Sequence, residues 1–447
     1  MPYTYLIENG LLLYPEKTEK MNVAVDGEVM RLLSPDAPCE AAERIDATGC
    51  YILPGLVDPH VHPLYVDDMS RVSYTAAMGG VTTMLHYASI KPGENPLDVI
   101  LKLKEEGERI SHVDFGLHAS FFDTKNQLTA VPELAARGVR SFKMFTAYEK
   151  LGWMTDDHAL IRAFDLIARE QGIACVHAEN GRAIDYLEDK LRPITPDNFP
   201  DTSPALLDKE AIFRTLCMAK LTGCPLYLPH ISSRAGLEAL QLGREEDVAF
   251  HSETCPHYLA FDWEALKSRG PLGKLRPPIK TAEDREALWN AVEEMRIDTI
   301  GSDHAPKAKQ PADDFEAAPY GAPGVETILP VIWELGVNAN RITPFDVVRL
   351  CAENPAKIFG LYPRKGRLED GTDADIVIFD PTAKWRIEQG NQHSKAPYTL
   401  YEGMGVRGRV QKVFSRGRLL VDGEQFHSPQ THGRFLETRP AARLSDG

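Results

Sequence analysis

The sequence predicts an α/β protein built on a (β/α)8 TIM barrel, with a small composite β-sandwich domain formed by both termini. Two patterns predict this fold. Between Tyr51 and about Pro363, short apolar runs alternate with longer segments of helical period, which is typical of repeated βα units around a parallel sheet. At both ends of the chain, apolar and polar residues alternate around NG, DG and TG turn signals, which indicates short antiparallel strands.

The barrel prediction depends on the number of apolar runs. Amphipathic stretches separate these runs, for example 159–170 and 283–296, in which apolar residues recur every three or four positions. Eight strands that alternate with helices are the pattern of a TIM barrel. The eight predicted strands are 51–62, 80–89, 113–122, 138–148, 172–180, 225–233, 248–259 and 298–306.

These patterns also suggest the domain boundaries. We place the TIM-barrel domain at 55–364 and the composite β-sandwich domain at 1–54 and 365–447. The segment 307–323 is rich in Pro, Ala and Gly and follows the last strand, so we interpret it as a mobile loop over the barrel mouth. The chain after about Gln430 is expected to be poorly ordered or bound by another subunit.

Charge and composition exclude several classes of partner. The chain has 447 residues and a formal charge of −15, without a basic stripe that could neutralise a phosphate backbone, so we expect no nucleic-acid partner. The N-terminus has no basic segment followed by an apolar core, and no run of about eighteen apolar residues occurs. We therefore expect a cytoplasmic protein with no membrane partner. The seven cysteines form no C-x-x-C pair, which argues against a thiolate metal site.

Polar side chains that can bind metal follow five of the predicted strands. In a TIM barrel, catalytic groups lie at the C-terminal ends of the strands. His60 and His62 are two apart on one strand, so both imidazoles point to the same face. Imidazole and carboxylate favour zinc and similar divalent ions, and four histidines with an aspartate exceed the usual ligand set of one catalytic zinc. The sequence therefore predicts two bridged divalent ions. The candidate ligands are His60, His62, Lys143, His177, His230 and Asp303.

Lys143 and Asp303 each allow two interpretations. Lys143 lies in the apolar run SFKMFTAY, where a buried ammonium is costly without a partner. It is either a salt-bridged core lysine or a lysine with a lowered pKa that reacts with carbon dioxide. The resulting carbamate is an anion with two oxygens and can bridge two cations. Asp303 either caps the next segment or serves as the general base beside a metal site.

The ordered set of HxH, Lys, His, His and Asp on successive strands resembles the cyclic amidohydrolases of the amidohydrolase superfamily. This group contains hydantoinases, dihydropyrimidinases, allantoinases and dihydroorotases. The resemblance covers nearly the whole chain, through PGLVDPHVH, SFKMFTAY, CVHAENG, PHISS, ETCPHYL, GSDHAP and GAPGVET. It implies a small cyclic amide as substrate, two divalent ions with zinc the leading candidate, and a homo-oligomer, either a tetramer or a dimer.

The resemblance also implies residue roles at the metal centre. His60, His62 and Asp303 match the ligands of the more buried ion, and His177 and His230 match those of the other. Lys143 matches the N6-carboxylysine that bridges the two ions. Asp303 matches the residue that takes a proton from the attacking water and delivers it to the leaving ring nitrogen.

Among these enzymes, hydantoinases and dihydropyrimidinases resemble the sequence most at the positions expected to contact the substrate. Tyr148 lies five residues after Lys143, where the resemblance implies a donor to the oxyanion. Arg276 in KLRPPIK replaces a small polar residue, and Tyr320 in PYGAPGVE replaces an asparagine. Arg276 is either a contact for an anionic or polar ring substituent or a surface arginine. Tyr65 either shapes the pocket or only packs.

Two further histidines have less certain roles. His257 in TCPHYL resembles the allantoinase version of that segment, and we expect it to lie behind the ligands or to be structural. His304 could orient groups around Asp303.

Other functions remain open at this stage. An allantoinase or a dihydroorotase is the main alternative, although dihydroorotases have Leu-Arg after HxH and this chain has Pro63-Leu64-Tyr65. A non-catalytic scaffold related to dihydropyrimidinase would lack the metal ligands, which are all present here. Deaminases of the superfamily usually use one ion and lack the lysine.

Overall fold

The computed structural model describes residues 2–63, 65–427 and 431–438. Its strands before the barrel are β1 (Tyr3–Glu8), β2 (Leu11–Leu13), β3 (Thr18–Glu19), β4 (Asn22–Asp26), β5 (Val29–Leu33), β6 (Ala41–Asp46) and β7 (Tyr51–Pro54). The barrel strands are β8 (Leu56–Val61), β9 (Val81–Ile90), β10 (Asp114–Phe121), β11 (Ser141–Phe145), β12 (Ile173–His177), β13 (Leu226–Leu228), β14 (Phe250–Thr254) and β15 (Thr299–Ile300). The strands after the barrel are β16 (Ile376–Ile387), β17 (Met404–Ser415), β18 (Arg418–Asp422) and β19 (Gln425–Phe426).

Helices connect the barrel strands. Local sequence explains where they begin: the Asp156 side chain accepts a hydrogen bond from Ala159 N at the start of one, and Thr281 and Asp284 form a capping box at the start of another. No helix in the described part of the chain is long and apolar enough to cross a membrane. The α-helices are α1 (Met69–Met78), α2 (Pro96–Ile110), α3 (Thr124–Gln127), α4 (Val131–Ala136), α5 (Asp157–Arg169), α6 (Gly181–Leu191), α7 (Ala205–Thr222), α8 (Arg234–Glu245), α9 (Pro256–Ala260), α10 (Trp263–Leu266), α11 (Ala282–Glu293), α12 (Ile328–Ile332), α13 (Pro344–Val348) and α14 (Asn354–Ile358). Short 3-10 segments occupy Leu128–Ala130, Glu149–Leu151, Pro200–Thr202, Lys267–Gly273, Val325–Thr327 and Gln389–Asn391, and π-helical turns occupy Trp333–Val337 and Arg349–Glu353.

The eight strands β8 to β15 form one parallel sheet in sequential order. The sheet closes just beyond its last strand, where Val61 and His304 form a parallel bridge and His62 N donates to His304 O over 2.9 Å. The barrel prediction is therefore confirmed. Closure at this point brings the end of the first strand beside the residues that follow the last one.

The first predicted strand is two strands. Tyr51–Pro54 pairs with β16 and β2 in a terminal sheet, and Leu56–Val61 opens the barrel. Gly55 joins them and lies against Thr82, with which any Cβ at position 55 would collide. The prediction of one strand over 51–62 was wrong because both halves are apolar, and periodicity does not show where the backbone leaves one sheet for another.

Strands from both termini build the β-sandwich. One sheet has the order β5-β4-β1-β6 and the other has the order β19-β18-β17-β16-β7-β2-β3. Their shared core contains Val23 and Ile52 from the N-terminal part, with Ile376 and Phe414 from the C-terminal part. The predicted composite sandwich is confirmed, and neither terminus completes this core alone.

Residues 431–438 pack on the barrel. Phe115 N donates to Arg434 O over 3.1 Å, Leu436 N donates to Phe115 O over 2.7 Å, and the Phe435 ring is 7% exposed. For these residues the prediction of poor order was wrong, since two strand-like hydrogen bonds and buried apolar surface hold them; the alternative of binding by another subunit stays a prediction. The remainder of the predicted tail, 439–447, lies outside the described residues.

A buried ion cluster joins the barrel to the sandwich. Lys365 Nζ lies 2.7 Å from Asp114 of β10, 2.8 Å from Asp375 and 2.9 Å from Asp373. Burial lowers the pKa of Lys365, but Asp375 and Asp114 outweigh it, so the net pKa is raised and the ammonium stays charged. Arg416 also pairs with Asp114 at 3.0 Å. Removal of Lys365 would therefore leave Asp114, Asp373 and Asp375 with too little positive charge to balance them.

We expect Lys365→Met to destabilise the protein by about 3–5 kcal/mol, because it leaves buried carboxylates without their cation. Chemical denaturation followed by circular dichroism measures this. The control is Lys220→Met, which breaks an exposed pair with Glu246 and should leave the midpoint almost unchanged. Equal midpoints for the two variants would contradict the structural role of the cluster.

Candidate metal centre and substrate pocket

A cavity of about 320 Å³ opens at the C-terminal ends of the barrel strands. The sequence places polar residues at these strand ends, and closure of the barrel points them into one space. Every predicted site residue lines this cavity: His60, His62, Tyr65, Lys143, Tyr148, His177, His230, Arg276, Asp303 and Tyr320.

His60, His62 and Asp303 bring three donor atoms together. Their ligand atoms all lie within 4.8 Å of one another, and Asp303 Oδ1 is 3.1 Å from His60 Nε2 and 3.3 Å from His62 Nε2. Burial lowers the pKa of His62 to about 4, which keeps its ring neutral. Burial raises the pKa of Asp303, but His60 and His62 outweigh it and hold the carboxyl ionised. Burial lowers the pKa of His60, but Glu253 and Asp303 outweigh it and raise this pKa to about 9, so a bound divalent ion would displace the His60 proton. Two imidazoles and an ionised carboxylate are a donor set for a divalent ion such as zinc.

Lys143, His177 and His230 lie on the other side of the cavity. The rings of His177 and His230 have centroids 4.6 Å apart. Lys143 Nζ lies over the rings of Tyr87 and Phe145, at 4.7 and 5.6 Å from their centroids. Burial lowers the pKa of Lys143 to about 8. Within the described part of the chain, Lys143 forms no ion pair, so the alternative of a salt-bridged core lysine lacks a partner.

Three cavity residues have left-handed backbone conformations. The φ angles are 66° at Tyr148, 46° at His230 and 47° at Asp303. A side chain in this region costs free energy, and such positions concentrate at functional sites. The backbone thus turns sharply where three strands end, and each turn aims a side chain at the cavity.

Two carboxylates that we did not predict orient the histidines. Glu179 accepts a hydrogen bond from His177 Nε2 over 2.7 Å. This leaves Nδ1 as the His177 ring nitrogen that could bind a metal ion. Glu253 accepts from His60 Nδ1 over 2.6 Å. Both lie in segments that carry the motif, HAEN and ETCPHYL, and both are almost fully buried. The sequence alone did not show that these carboxylates lie beside the candidate ligands, because acidic side chains are usually exposed to solvent.

His304 and His257 lie outside the cavity lining. His304 Nδ1 accepts from Gly324 N over 3.1 Å, so its Nε2 donates to Asp67 Oδ2, 3.2 Å away. It therefore braces the backbone beside Asp303. His257 lies in α9, is 5% exposed, and packs on Tyr258 with ring centroids 4.3 Å apart.

Arg276 is buried and already paired. It is 7% exposed, so the alternative of a surface arginine is wrong. Its Nη2 lies 2.5 Å from Glu188 Oε1 and 3.0 Å from the Tyr320 hydroxyl, while its Nη1 has no hydrogen-bond partner in the described part of the chain. Glu188 therefore occupies the place beside Arg276 that the sequence analysis gave to an anionic substituent of the substrate. Nη1 also lies 4.0 Å from Glu179 Oε1, beyond hydrogen-bond distance, so its N–H groups can still donate to a polar acceptor.

Aromatic and aliphatic side chains form the rim. Phe122 stacks on Trp153 with centroids 4.3 Å apart, and Tyr65 and Leu151 are 43% and 57% exposed. The polar wall and this apolar rim together suit a polar ring that carries an apolar or mixed substituent.

The loop 307–323 contributes Lys307, Pro319, Tyr320 and Gly321 to the cavity. The ammonium of Lys274 donates to the carbonyl oxygens of Phe315, Glu316 and Ala318 at 2.8–2.9 Å. These bonds fasten the middle of the loop to the barrel and thereby position Tyr320.

A TIM barrel with clustered His, Asp and Lys side chains at its mouth defines the class of metal-dependent barrel hydrolases. The sequence profile of the amidohydrolase family matches residues 51–420. A D-hydantoinase from Ralstonia pickettii is 32% identical, over 97% of this chain and 98% of that protein. The chain belongs to the amidohydrolase family, within its cyclic amidohydrolases, the group that contains hydantoinases and dihydropyrimidinases.

Solved structures of relatives agree with this assignment. The dihydropyrimidinase from Brevibacillus agri is 30% identical and superposes with a TM-score of 0.94, covering 98% of this chain and 99% of that one. The L-hydantoinase from Arthrobacter aurescens is 29% identical with a TM-score of 0.91, covering 98% of this chain and all of the other. Membership of this family suggests a binuclear metal centre, and the His60, His62 and Asp303 cluster fits one of its two positions.

Proposed function

We propose that this protein hydrolyses an endocyclic amide bond of a small ring, as hydantoinases and dihydropyrimidinases do. One observation carries the proposal: four histidines, Asp303 and an unpaired buried Lys143 converge on one cavity. The similarity to D-hydantoinases over 97% of the chain supports it. The intact ligand set argues against a non-catalytic scaffold, and the presence of the lysine argues against a single-ion deaminase.

The residues present fit two divalent ions, with zinc the leading candidate. His60, His62 and Asp303 would hold one ion, His177 and His230 the other, and carboxylated Lys143 would be shared by both. Two bound ions would act as Lewis acids and lower the pKa of water from 15.7 towards about 7.

The chain's own side chains account for proton transfer and orientation. Asp303 would take the proton of the attacking water and deliver it to the leaving ring nitrogen. Burial, and then the charge of Glu179, raise the pKa of Tyr148 well above 10, so its hydroxyl stays protonated and can donate to the oxyanion. Arg276, Tyr320 and Tyr65 would contact the ring and its substituent.

Several broader features are also proposals. The acidic charge of −15 supports a protein without nucleic-acid partners, and a cytoplasmic location is proposed with it. The resemblance supports a homo-oligomer, a tetramer or a dimer. The proposed domain boundaries remain 1–54 with 365–447 for the sandwich and 55–364 for the barrel.

Metal and carbamate content test the proposed centre. We expect about two divalent ions per chain by elemental analysis, and a carbamate signal by ¹³C NMR after growth with labelled bicarbonate. Lys143→Arg should abolish the carbamate signal and reduce the metal content. Lys280→Arg is the matched control, because Lys280 is also buried but pairs with Asp208 at 3.3 Å. One ion per chain, or no carbamate, would contradict the bridged centre.

Tyr148→Phe tests the oxyanion contact. Loss of one preorganised donor typically costs about 2.7–4 kcal/mol, so kcat should fall roughly 10²–10³-fold with little change in thermal stability. The control is Tyr258→Phe, since the Tyr258 hydroxyl donates to Pro277 O over 2.8 Å, away from the cavity. Steady-state kinetics on a hydantoin compares them. A normal kcat in Tyr148→Phe would remove this assignment.

Arg276 and Tyr320 should determine substrate preference. The triple change Arg276→Ser, Tyr320→Asn and Glu188→Gln removes the Arg276–Glu188 pair, while Glu179 keeps its hydrogen bonds with His177 and Ser203. We expect kcat/KM to shift towards simple hydantoins and dihydropyrimidines, and away from rings with polar substituents, because the Nη1 donor is lost. The measurement is a panel of both enantiomers of each ring. An unchanged relative profile would place substrate selection elsewhere in the cavity.

A further inference from the structure

Glu253 lies in the barrel interior, directly beneath the cavity. It belongs to β14, and its side chain is 0% exposed. Its carboxylate accepts hydrogen bonds from four groups in the described part of the chain: His60 Nδ1 at 2.6 Å, His230 N at 3.1 Å and Cys255 Sγ at 4.0 Å donate to Oε1, and the Tyr227 hydroxyl at 2.7 Å donates to Oε2. One carboxylate therefore contacts residues from both sides of the proposed metal centre.

The contact with His60 determines how its ring is oriented. Glu253 Oε1 lies 2.6 Å from His60 Nδ1 and so engages this ring nitrogen. Nε2 is then the nitrogen that faces the cavity, 3.1 Å from Asp303 Oδ1 and 3.3 Å from His62 Nε2. Without the hydrogen bond to Glu253, the His60 ring would lose the contact that aims Nε2 at a bound ion.

The contact with His230 is to the backbone. His230 has φ 46°, and Glu253 holds both ends of this turn, since Oε1 accepts from His230 N and the main-chain oxygen accepts from Ile231 N over 2.7 Å. These bonds offset the cost of the left-handed conformation. They hold the His230 ring against His177, on the other side of the cavity.

The Glu253 carboxylate is tightly packed, and a histidine is its ion-pair partner. A Cβ at Gly301 on the neighbouring chain segment would collide with the Glu253 carboxylate. In the described part of the chain, its ion-pair partner is His60, with no lysine or arginine within ion-pair distance. A carboxylate buried in this way needs nearby positive charge, which an ion held by His60 in the proposed centre would supply.

We infer that Glu253 is a positioning residue that couples the two halves of the metal centre. It orients the ring of His60 in one half and holds the backbone turn of His230 in the other, through a single oxygen atom. This inference rests on the binuclear centre proposed above. It predicts that a change at Glu253 weakens both ions together, although Glu253 itself binds neither.

Zinc titration of metal-free protein tests the inference. Glu253→Gln keeps the size and one acceptor oxygen but removes the charge, so we expect the affinity for both ions to fall about 10–100-fold. A chromophoric chelator in competition measures both affinities, and the visible spectrum of the cobalt-loaded protein reports ligand geometry. The matched control is Glu353→Gln, because Glu353 is also a buried glutamate, 5% exposed, but pairs with Lys357 at 3.1 Å. The control should bind both ions as the wild type does.

The outcomes separate this inference from the proposed function. A wild-type protein that binds fewer than two ions would overturn the binuclear centre. A wild type that binds two ions, with unchanged affinities in Glu253→Gln, would overturn only the role of Glu253. A loss confined to one ion would overturn the coupling.

Glu253→Asp keeps the inference testable if the glutamine variant does not fold. It retains the charge, but one methylene fewer prevents it from reaching both His60 and His230. Intermediate affinities and an altered cobalt spectrum are expected. Wild-type affinities in this variant would also overturn the inference.

Discussion

The close approach of buried metal-type donors to one another is the constraint on which the site depends. Asp303 Oδ1, His60 Nε2 and His62 Nε2 approach within about 3.3 Å of one another, and Glu253 adds a further buried carboxylate. Desolvated anions and lone pairs at this density are stable when cations lie among them. The unpaired Lys143 fits the same logic, because as a carbamate it would add one more anion to a cationic centre.

The barrel supplies the rigidity that this arrangement requires. Parallel strands deliver their C-terminal ends to one rim, and the bridge between Val61 and His304 closes the ring beside Asp303. His304 is braced on its other side by Asp67, which also accepts from Ser394 Oγ over 2.6 Å. Through Ser394, the chain segment after the barrel therefore contacts the residues that support the strand ends beside Asp303.

Charge pairing in the cavity wall limits what Arg276 can contact. Arg276 lies between two carboxylates, 2.5 Å from Glu188 and 4.0 Å from Glu179, so this wall carries no net positive charge. Directed donors discriminate strongly between ring substituents, because an unmatched buried donor is costly. In the function proposed above, substrate preference would therefore depend on Arg276 and Tyr320.

The sequence by itself determined the barrel, the composite sandwich and the ligand candidates, because hydrophobic period and strand-end residues are local properties. It did not separate Tyr51–Pro54 from Leu56–Val61, since both are apolar strands. Only the tertiary structure decided that Arg276 pairs with Glu188 and that Glu253 contacts His60. These contacts join residues 88 and 193 positions apart, and burial and charge pairing at such distances depend on how the closed barrel brings its strand ends together.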